Sequence, residues 1–319
     1  MLAFGRVKWP FSIAAVLLSA VSLVAQTEDC LHRKVPVSLI KGTPGPARIE
    51  PDRLRATIRG KPVKIRGISY NKDMRKAVIV LDSSGSMMGE GNRTKGEWSV
   101  ATGIVRHIVR WSPDDLQLAF LGFSSTRNDL INFAPGSRAE ILLHMDSYGD
   151  PKGTTPLWDT IRKMMDNKDL GQIDSIFLIS DGEDTSSNED RDRLIRRLSA
   201  SKIRVNSILL KGPPTYSEIN LNGAENLAEL SKQTGGWAYW VDTGKKVDLQ
   251  KVDQSVEAEL RGLLRLRPSQ LEIELNQNTK KWTKMDLVYL DEKGKPDKQM
   301  DVIYPHLLAP CSADQTSGK

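Results

Sequence analysis

The chain contains two kinds of hydrophobic pattern, and each occupies its own part of the sequence. Between residues 73 and 264, short apolar runs alternate with segments whose apolar residues recur at helical spacing. The apolar runs are 77–81, 116–123, 130–133, 175–180, 204–210 and 237–241. The helical segments are 94–111, 156–165, 188–201, 224–233 and 247–264. Strands that alternate with helices predict βαβ units, and therefore an α/β fold with a doubly wound, mainly parallel sheet.

The two flanks of this region have a different pattern. Apolar and polar residues alternate one by one at 35–39 and 271–275, as in strands with one buried face. Further short strands are predicted, separated by polar turns, at 54–58, 63–68, 285–290 and 300–304. Neither flank is long enough to bury a core of its own. We therefore expect the N-terminal segment 26–72 and the C-terminal segment 265–319 to pair into one small antiparallel β module beside the domain at 73–264.

The first 25 residues differ from everything that follows. Arg6 and Lys8 precede the uncharged run 11–25, and polar residues follow from Gln26. That order is typical of a secretory signal peptide cleaved near Ala25, and the apolar part is short for a membrane span of about 20 residues. An uncleaved N-terminal anchor is the alternative. We expect a secreted or periplasmic protein with no membrane span after cleavage.

Composition and cysteine usage narrow the class of protein. Hydrophobic residues make up 39% and charged residues 27%, and the formal net charge is +6. This mild positive balance occurs without a zinc spacing or an aromatic and basic surface, so it gives no reason to expect a nucleic-acid partner. The two cysteines, Cys30 and Cys311, lie near the two ends. Outside the cytoplasm such a pair predicts a disulfide, with two free thiols as the alternative.

The stretch Asp82-Ser83-Ser84-Gly85-Ser86 directly follows the apolar run 77–81. Loops at the carboxyl ends of parallel strands are where open α/β sheets bind ligands. Asp82, Ser84 and Ser86 offer only carboxylate and hydroxyl oxygens, which suit Mg²⁺, Mn²⁺ or Ca²⁺ rather than zinc. The sequence therefore predicts a site for a hard divalent cation at this edge of the sheet.

Two further oxygen-bearing residues occupy matching places downstream. Thr155 stands just before the helical segment 156–165, and Asp181 ends the apolar run 175–180. The Asp-x-Ser-x-Ser stretch, a distant threonine before a helix and an aspartate after a later strand together resemble the metal-ion-dependent adhesion site of the von Willebrand factor type A (VWFA) domain. The resemblance implies a Rossmann-like VWFA domain whose metal ligands are Asp82, Ser84, Ser86, Thr155 and Asp181.

The resemblance also implies a function. In the family, hydroxyls bind the ion directly, while the two carboxylates, here Asp82 and Asp181, hold coordinated waters or lie beside the metal. One position stays open for an acidic residue of a protein partner. We expect Mg²⁺ first, with Mn²⁺ or Ca²⁺ as alternatives, and a protein ligand that presents Asp or Glu. The flanks and the Gly235-Gly236-Trp237 run resemble bacterial, Acidobacteria-type VWFA-related secreted proteins.

Enzymatic functions find less support in the sequence. The four histidines show no paired spacing for a metal or a catalytic triad, and a phosphate-binding loop is missing. We therefore do not expect an enzyme. Two alternatives stay open beside the adhesion-type module: a structural domain whose metal only stabilises the fold, and a metal-assisted hydrolase, for which no general base is evident.

The role of the residues beside the motif is also left open by the sequence. Met87, Met88 and Trp158 either form an exposed apolar rim for a partner or pack the loop. Glu183 and Asp184 follow Asp181. They either add to metal affinity or begin the next helix, where acidic side chains suit the helix dipole, and we favour the helix role.

Overall fold

The computed structural model of the protein describes residues 30–41, 46–70, 73–88, 95–182, 184–211, 218–243, 249–277 and 279–311. The predicted signal peptide at 1–25 lies outside these residues. Within them, no helix combines the length and the apolar composition that crossing a membrane requires.

The described strands belong to two separate sheets. In chain order the strands are β1 (His32–Lys41), β2 (Leu54–Ile58), β3 (Lys61–Tyr70), β4 (Arg75–Asp82), β5 (Leu116–Ser124), β6 (Arg127–Ile131), β7 (Ser175–Ser180), β8 (Arg204–Lys211), β9 (Ala238–Asp242), β10 (Ser269–Glu274), β11 (Thr283–Tyr289), β12 (Met300–Ile303) and β13 (Leu307–Leu308). The helices are α1 (Lys95–Trp111), α2 (Ser137–Asp146), α3 (Leu157–Asp166), α4 (Arg191–Ala200), α5 (Glu218–Thr234) and α6 (Leu249–Arg265).

The central sheet has the strand order β6-β5-β4-β7-β8-β9. Strand β4 runs parallel to β5 and β7, and β8 runs parallel to β7 and β9. Strand β6 is antiparallel to β5, because the two residues between them allow a hairpin but not a crossover. The prediction of an α/β fold is confirmed, and the sheet is mixed through this one edge strand.

Helices cover both faces of the central sheet. Alternate residues of β4 point to opposite faces, as the period of a strand requires. Ala77, Ile79 and Leu81 pack in a cluster with α1, α2 and α6. Val78 and Val80 pack in a second cluster with α3, α4 and α5. The apolar run of β4 is therefore continuous because both of its faces are buried.

The flanks of the chain form the second sheet, in the order β12-β1-β10-β3-β2-β11-β13. Strands from the two ends pair directly: β1 is antiparallel to β10 and β12, and β2 is antiparallel to β11. The expectation of a small module is wrong, because this seven-stranded sheet has more strands than the central one. Lys61 and Pro62 lie between the predicted strands 54–58 and 63–68, but they belong to β3. The turn is formed by Arg59 and Gly60, both at positive φ.

A disulfide joins Cys30 to Cys311, with their Cα atoms 5.5 Å apart, a usual separation for this bond. The predicted disulfide is confirmed. Cys30 precedes β1 and Cys311 follows β13. Next to the bridge, the amide of Cys311 donates to the carbonyl of Thr279 (2.8 Å) and that of Leu275 to Leu31 (2.7 Å). The bridge therefore closes the antiparallel sheet at the point where the two flanks meet.

We expect the Cys30→Ser, Cys311→Ser double variant to lose about 2–4 kcal/mol of unfolding free energy, because the bridge constrains a very long loop in the unfolded chain. Urea unfolding of both proteins measures the difference. Intact-mass analysis should show no alkylation of the native protein, and alkylation of both cysteines once the protein has been reduced. Two thiols that react in the native, oxidised protein would contradict the bridge.

Candidate metal site

The predicted site residues lie at the carboxyl edge of the central sheet, where the strand order changes direction. From β4 the chain passes through α1 to β5 on one side, and it later passes through α3 to β7 on the other. Helices α1 and α3 cover opposite faces of the sheet. A crevice therefore opens between the ends of β4 and β7, and such a switch point is the usual ligand site of an open α/β sheet.

Asp82, the last residue of β4, is fully buried (0% exposed). Its Oδ1 accepts a hydrogen bond from the amide of Ser84 (2.9 Å), and its Oδ2 accepts one from the hydroxyl of Ser180 (2.8 Å). The Ser180 Oγ also accepts from the amide of Gly182 (3.0 Å). These bonds hold the carboxylate in one orientation between β4 and β7.

Ser180 was not among the predicted site residues. It stands at the buried end of β7, directly before Asp181. The sequence offers one sign of its role: Ser180 is a hydroxyl residue at the carboxyl end of a predicted strand, next to a predicted site residue. Residues in such places lie at the same edge of the sheet as the site.

The hydroxyls of Ser84 and Ser86 lie 3.0 Å apart, Ser84 buried and Ser86 half-buried. Their loop is tied to the loop that carries Thr155. The amide of Gly85 donates to the carbonyl of Gly153 (2.8 Å), and the amide of Lys152 donates to the carbonyl of Ser83 (2.9 Å). Backbone bonds on both sides of Ser84 therefore fix its position relative to Thr155.

Thr155 is buried (2% exposed) and lies two residues before the first residue of α3. Its amide donates to the hydroxyl of Thr185 (3.0 Å), and its carbonyl accepts from the amide of Thr185 (3.0 Å). Thr185 belongs to the segment after β7 that begins with Asp181. The three loops that carry the predicted ligands are thus joined to one another by hydrogen bonds.

The two carboxylates affect each other electrostatically. Burial and the nearby charge of Asp181 raise the pKa of Asp82 to about 7, against the opposing effect of the hydrogen bonds from Ser84 and Ser180. Keeping both groups ionised is therefore unfavourable in the protein alone. A divalent cation beside them would offset both the burial and the mutual repulsion.

The donor set fits a hard cation. Asp82, Ser84, Ser86, Thr155 and Asp181 offer only oxygen atoms, and three of these are neutral hydroxyls. In the described part of the chain, this site included, His, Cys, Asp and Glu form no group of three or more that could hold a metal ion. The candidate site therefore depends on its hydroxyls as well as on its two carboxylates. Oxygen ligands of this kind suit Mg²⁺ or Ca²⁺, and they are poor ligands for softer metals.

Apolar residues beside the motif pack the loop from behind. Met87 (1% exposed) lies in the cluster with α1, and Trp158 (7% exposed) lies in the cluster on the opposite face. Met88 is half-buried. Met87 and Trp158 therefore pack the loop and do not form an exposed apolar rim.

Asp184 contacts the N-terminus of a helix, but this helix is α3 and not the next helix along the chain. Its carboxylate accepts from the amides of Trp158 (3.4 Å) and Ser187 (3.1 Å), so it serves the N-terminus of α3. The next helix, α4, is capped by Asp190, which accepts from the amide of Arg193 (2.7 Å). The expectation that Asp184 begins the next helix is wrong, since the loop folds back onto α3. Glu183 lies outside the described residues.

Comparisons with known proteins do not assign the chain a family. No protein-family model matches the sequence, and no curated protein matches it. Solved structures with a similar arrangement include proximal thread matrix protein 1 from the mussel byssus, at 12% identity and a TM-score of 0.45, covering 72% of this chain and 48% of that one. Another is a von Willebrand factor type A protein from Catenulispora acidiphila, at 10% identity and a TM-score of 0.46, covering 86% and 72%.

A third similar structure is an aerotolerance-related membrane protein from Bacteroides fragilis with multiple mutations to serines, at 14% identity and a TM-score of 0.42, covering 58% and 98%. The chain spans about half the length of the mussel protein. Likenesses at this level define neither a family nor a function.

Proposed function

We propose that the protein is an extracytoplasmic, protein-binding module of the VWFA type, in which a divalent cation bridges to an acidic residue of a partner. Its ligands are Asp82, Ser84, Ser86, Thr155 and Asp181, and Mg²⁺ is the favoured ion. The observation that carries the proposal is the buried Asp82 carboxylate beside the Ser84 and Ser86 hydroxyl pair, at the switch point of the central sheet.

The chain's own residues have distinct tasks in this proposal. Asp82 holds the first loop in place through the amide of Ser84, and Ser180 fixes the orientation of the Asp82 carboxylate. Ser84, Ser86 and Thr155 present neutral oxygens. When bound, an ion with mostly neutral protein ligands offers a coordination position to an anionic group. A partner carboxylate is the natural ligand for that position.

Export from the cytoplasm is part of the proposal. The signal-like segment 1–25 supports it, with its two basic residues ahead of the uncharged run 11–25. The disulfide between Cys30 and Cys311 also supports it, because such bonds persist in oxidising compartments and are rare in the cytosol.

Metal and partner should bind with linked affinities. If a partner carboxylate coordinates the ion, each ligand must raise the affinity of the other by the same factor. Partner capture from an extracytoplasmic extract should vanish in EDTA and return with Mg²⁺ or Mn²⁺. Thr155→Ala should weaken capture at least about tenfold, because it removes one of the few hydroxyl ligands.

Ser186→Ala is the matched control for this experiment. Ser186 is exposed, and its hydroxyl contacts that of Thr154 (3.1 Å) outside the proposed ligand set, so capture should be unchanged. A partner that binds equally well in EDTA would favour the structural-metal alternative. Metal-dependent turnover of an ester or a phosphate would favour the hydrolase.

A further inference from the structure

A narrow cavity lies at the amino edge of the central sheet, opposite the candidate metal site. Its volume is about 10 Å³, which is the room that one water-sized particle needs. Polar side chains from four strands line it, namely Ser38, Arg75, Ser175, Arg204 and Asn206. The end of α6 contributes Leu263 and Leu264, and β12 contributes Ile303. The cavity therefore lies where the central sheet, α6 and the antiparallel sheet meet.

The alternation of the strands explains why polar groups converge there. Phe177 of β7 and Ile208 of β8 face the cluster that contains α1 and α6. Residues two and four positions earlier lie on the same face, which places Ser175, Asn206 and Arg204 there. Ser175 and Arg204 are also register partners across the two strands. The apolar face of the sheet thus ends in a polar rim.

Several of these polar groups have no protein partner. Ser38, Ser175 and Asn206 are 5%, 4% and 8% exposed. Within the described residues, the hydroxyls of Ser38 and Ser175 form no hydrogen bond with the protein. Asn206 accepts one through Oδ1 from the amide of Trp237 (3.1 Å), which leaves its side-chain NH₂ group unused. None of these atoms is among the fully buried side-chain atoms of the described residues that lack a partner, so each of them reaches the space of the cavity. Water or an ion in that space can accept from all three.

The two arginines at the cavity differ in their contacts. Arg75 donates from Nε to Asp115 (3.0 Å) and from its two terminal nitrogens to the carbonyls of Leu266 (2.8 Å) and Leu264 (3.1 Å) at the end of α6. Arg204 forms no ion pair or side-chain hydrogen bond with the residues that the structure describes. Arg204 is half-buried. Its desolvation and the charge of Arg75, against the opposing charge of Asp174, lower the pKa of Arg204 to about 10.

The charges around the cavity leave an excess of positive charge. Asp115 is shared between Arg75 and Arg267, the latter at 2.5 Å. Asp174 lies near Arg204, but one of its carboxylate oxygens accepts from the backbone amide of Lys76 (2.7 Å). The cluster therefore has three guanidinium groups, those of Arg75, Arg204 and Arg267, and two carboxylates, those of Asp115 and Asp174. Arg204, whose guanidinium has no hydrogen-bonded partner among the described residues, lies at the cavity.

We propose that this cavity binds a small monovalent anion of halide size, with chloride as the natural ligand. The hydroxyls of Ser38 and Ser175, the amide of Asn206 and the guanidinium of Arg204 donate to it. An anion accepts from all of these donors at once, and it offsets the excess positive charge of the cluster. Because Ser38 belongs to β1 and the other donors to β7 and β8, the anion would hold the antiparallel sheet against the central one.

Thermal unfolding tests the proposal in sodium chloride against sodium gluconate at equal ionic strength, since gluconate is too large for the cavity. Chloride should raise Tm saturably, by about 3 °C at concentrations well above its dissociation constant. Arg204→Met should abolish this difference, and Arg193→Met, which removes a solvent-exposed arginine of α4, should keep it. Equal Tm in both salts, or a difference that Arg204→Met retains, would overturn the proposal.

Crystals of the unmodified protein soaked in sodium bromide give a second measurement that does not depend on the folding of a variant. The expected result is an anomalous bromide peak between Ser38, Ser175 and Arg204. A cavity that holds only water under these conditions would overturn the proposal.

Discussion

Replacing Asp82 with asparagine is expected to weaken the binding of Mg²⁺ and Mn²⁺ by about 100-fold or more while the protein stays folded. The substitution removes the charge at the centre of the site, and even a residue that only supports metal ligands typically contributes 10–100-fold in affinity. Asparagine keeps the shape of the side chain, and its oxygen can still accept from the amide of Ser84. Calorimetric titration of both ions into both proteins measures the change.

The same variant should be at least as stable as the unmodified protein in EDTA. Burial and the charge of Asp181 both disfavour the ionised form of Asp82, and asparagine removes that unfavourable charge. Asp146→Asn is the control, because Asp146 is an exposed carboxylate (70%) that pairs with Arg106 on the protein surface. An Asp82→Asn protein that binds Mg²⁺ as tightly as the unmodified one would show that the site lies elsewhere.

The strands and helices of the central domain could be predicted where the buried positions of an element form a regular apolar pattern in the sequence. Strand β4 is an apolar run because helices cover both of its faces, and α3 has its buried residues along one face. Helix α2 was not predicted, and its composition explains why. Ile141 and Met145 are buried, but Leu143 between them is 73% exposed, so no clean apolar stripe marks the helix.

The antiparallel sheet was predicted in kind but not in size. Strand β11 alternates buried and exposed residues along its whole length, and this pattern is visible in the sequence. Strand β1 is buried on both sides instead. Leu39 lies in the core of the antiparallel sheet, while Ile40 packs against Leu263 of α6. Which strand of a sheet contacts the neighbouring domain depends on the tertiary arrangement, so local alternation did not reveal the full length of β1.

The candidate site shows the same limit. Positions 82, 84, 86, 155 and 181 could be chosen from the sequence because each stands at the end of a predicted strand or the start of a predicted helix. The hydrogen bond from Ser180 to Asp82 spans 98 residues, and those between Thr155 and Thr185 span 30. Such contacts follow from the order of strands in the sheet, which the hydrophobic pattern does not specify.

Replacing Gly236 with alanine is expected to lower the free energy of unfolding strongly, although it adds only one methyl group. Gly236 lies between α5 and β9, against the backbone of β8. A Cβ atom there would overlap the carbonyl oxygen of Val205 and lie 2.5 Å from its carbonyl carbon. Strand β8 is hydrogen-bonded to β7 and β9 on its two sides, so it cannot move away without disturbing both ladders. We expect a loss of about 3 kcal/mol or more.

Gly67→Ala separates this close contact from the general effect of replacing glycine. Gly67 lies in β3, and a Cβ atom there would meet no other atom within 4 Å. Alanine leaves the unfolded chain fewer conformations than glycine does, and it fits a strand better. Gly67→Ala should therefore be neutral or stabilising by up to about 1 kcal/mol. Urea unfolding of the two variants and the unmodified protein measures both effects. Similar stabilities for Gly236→Ala and Gly67→Ala would contradict the packing of Gly236 against the backbone of β8.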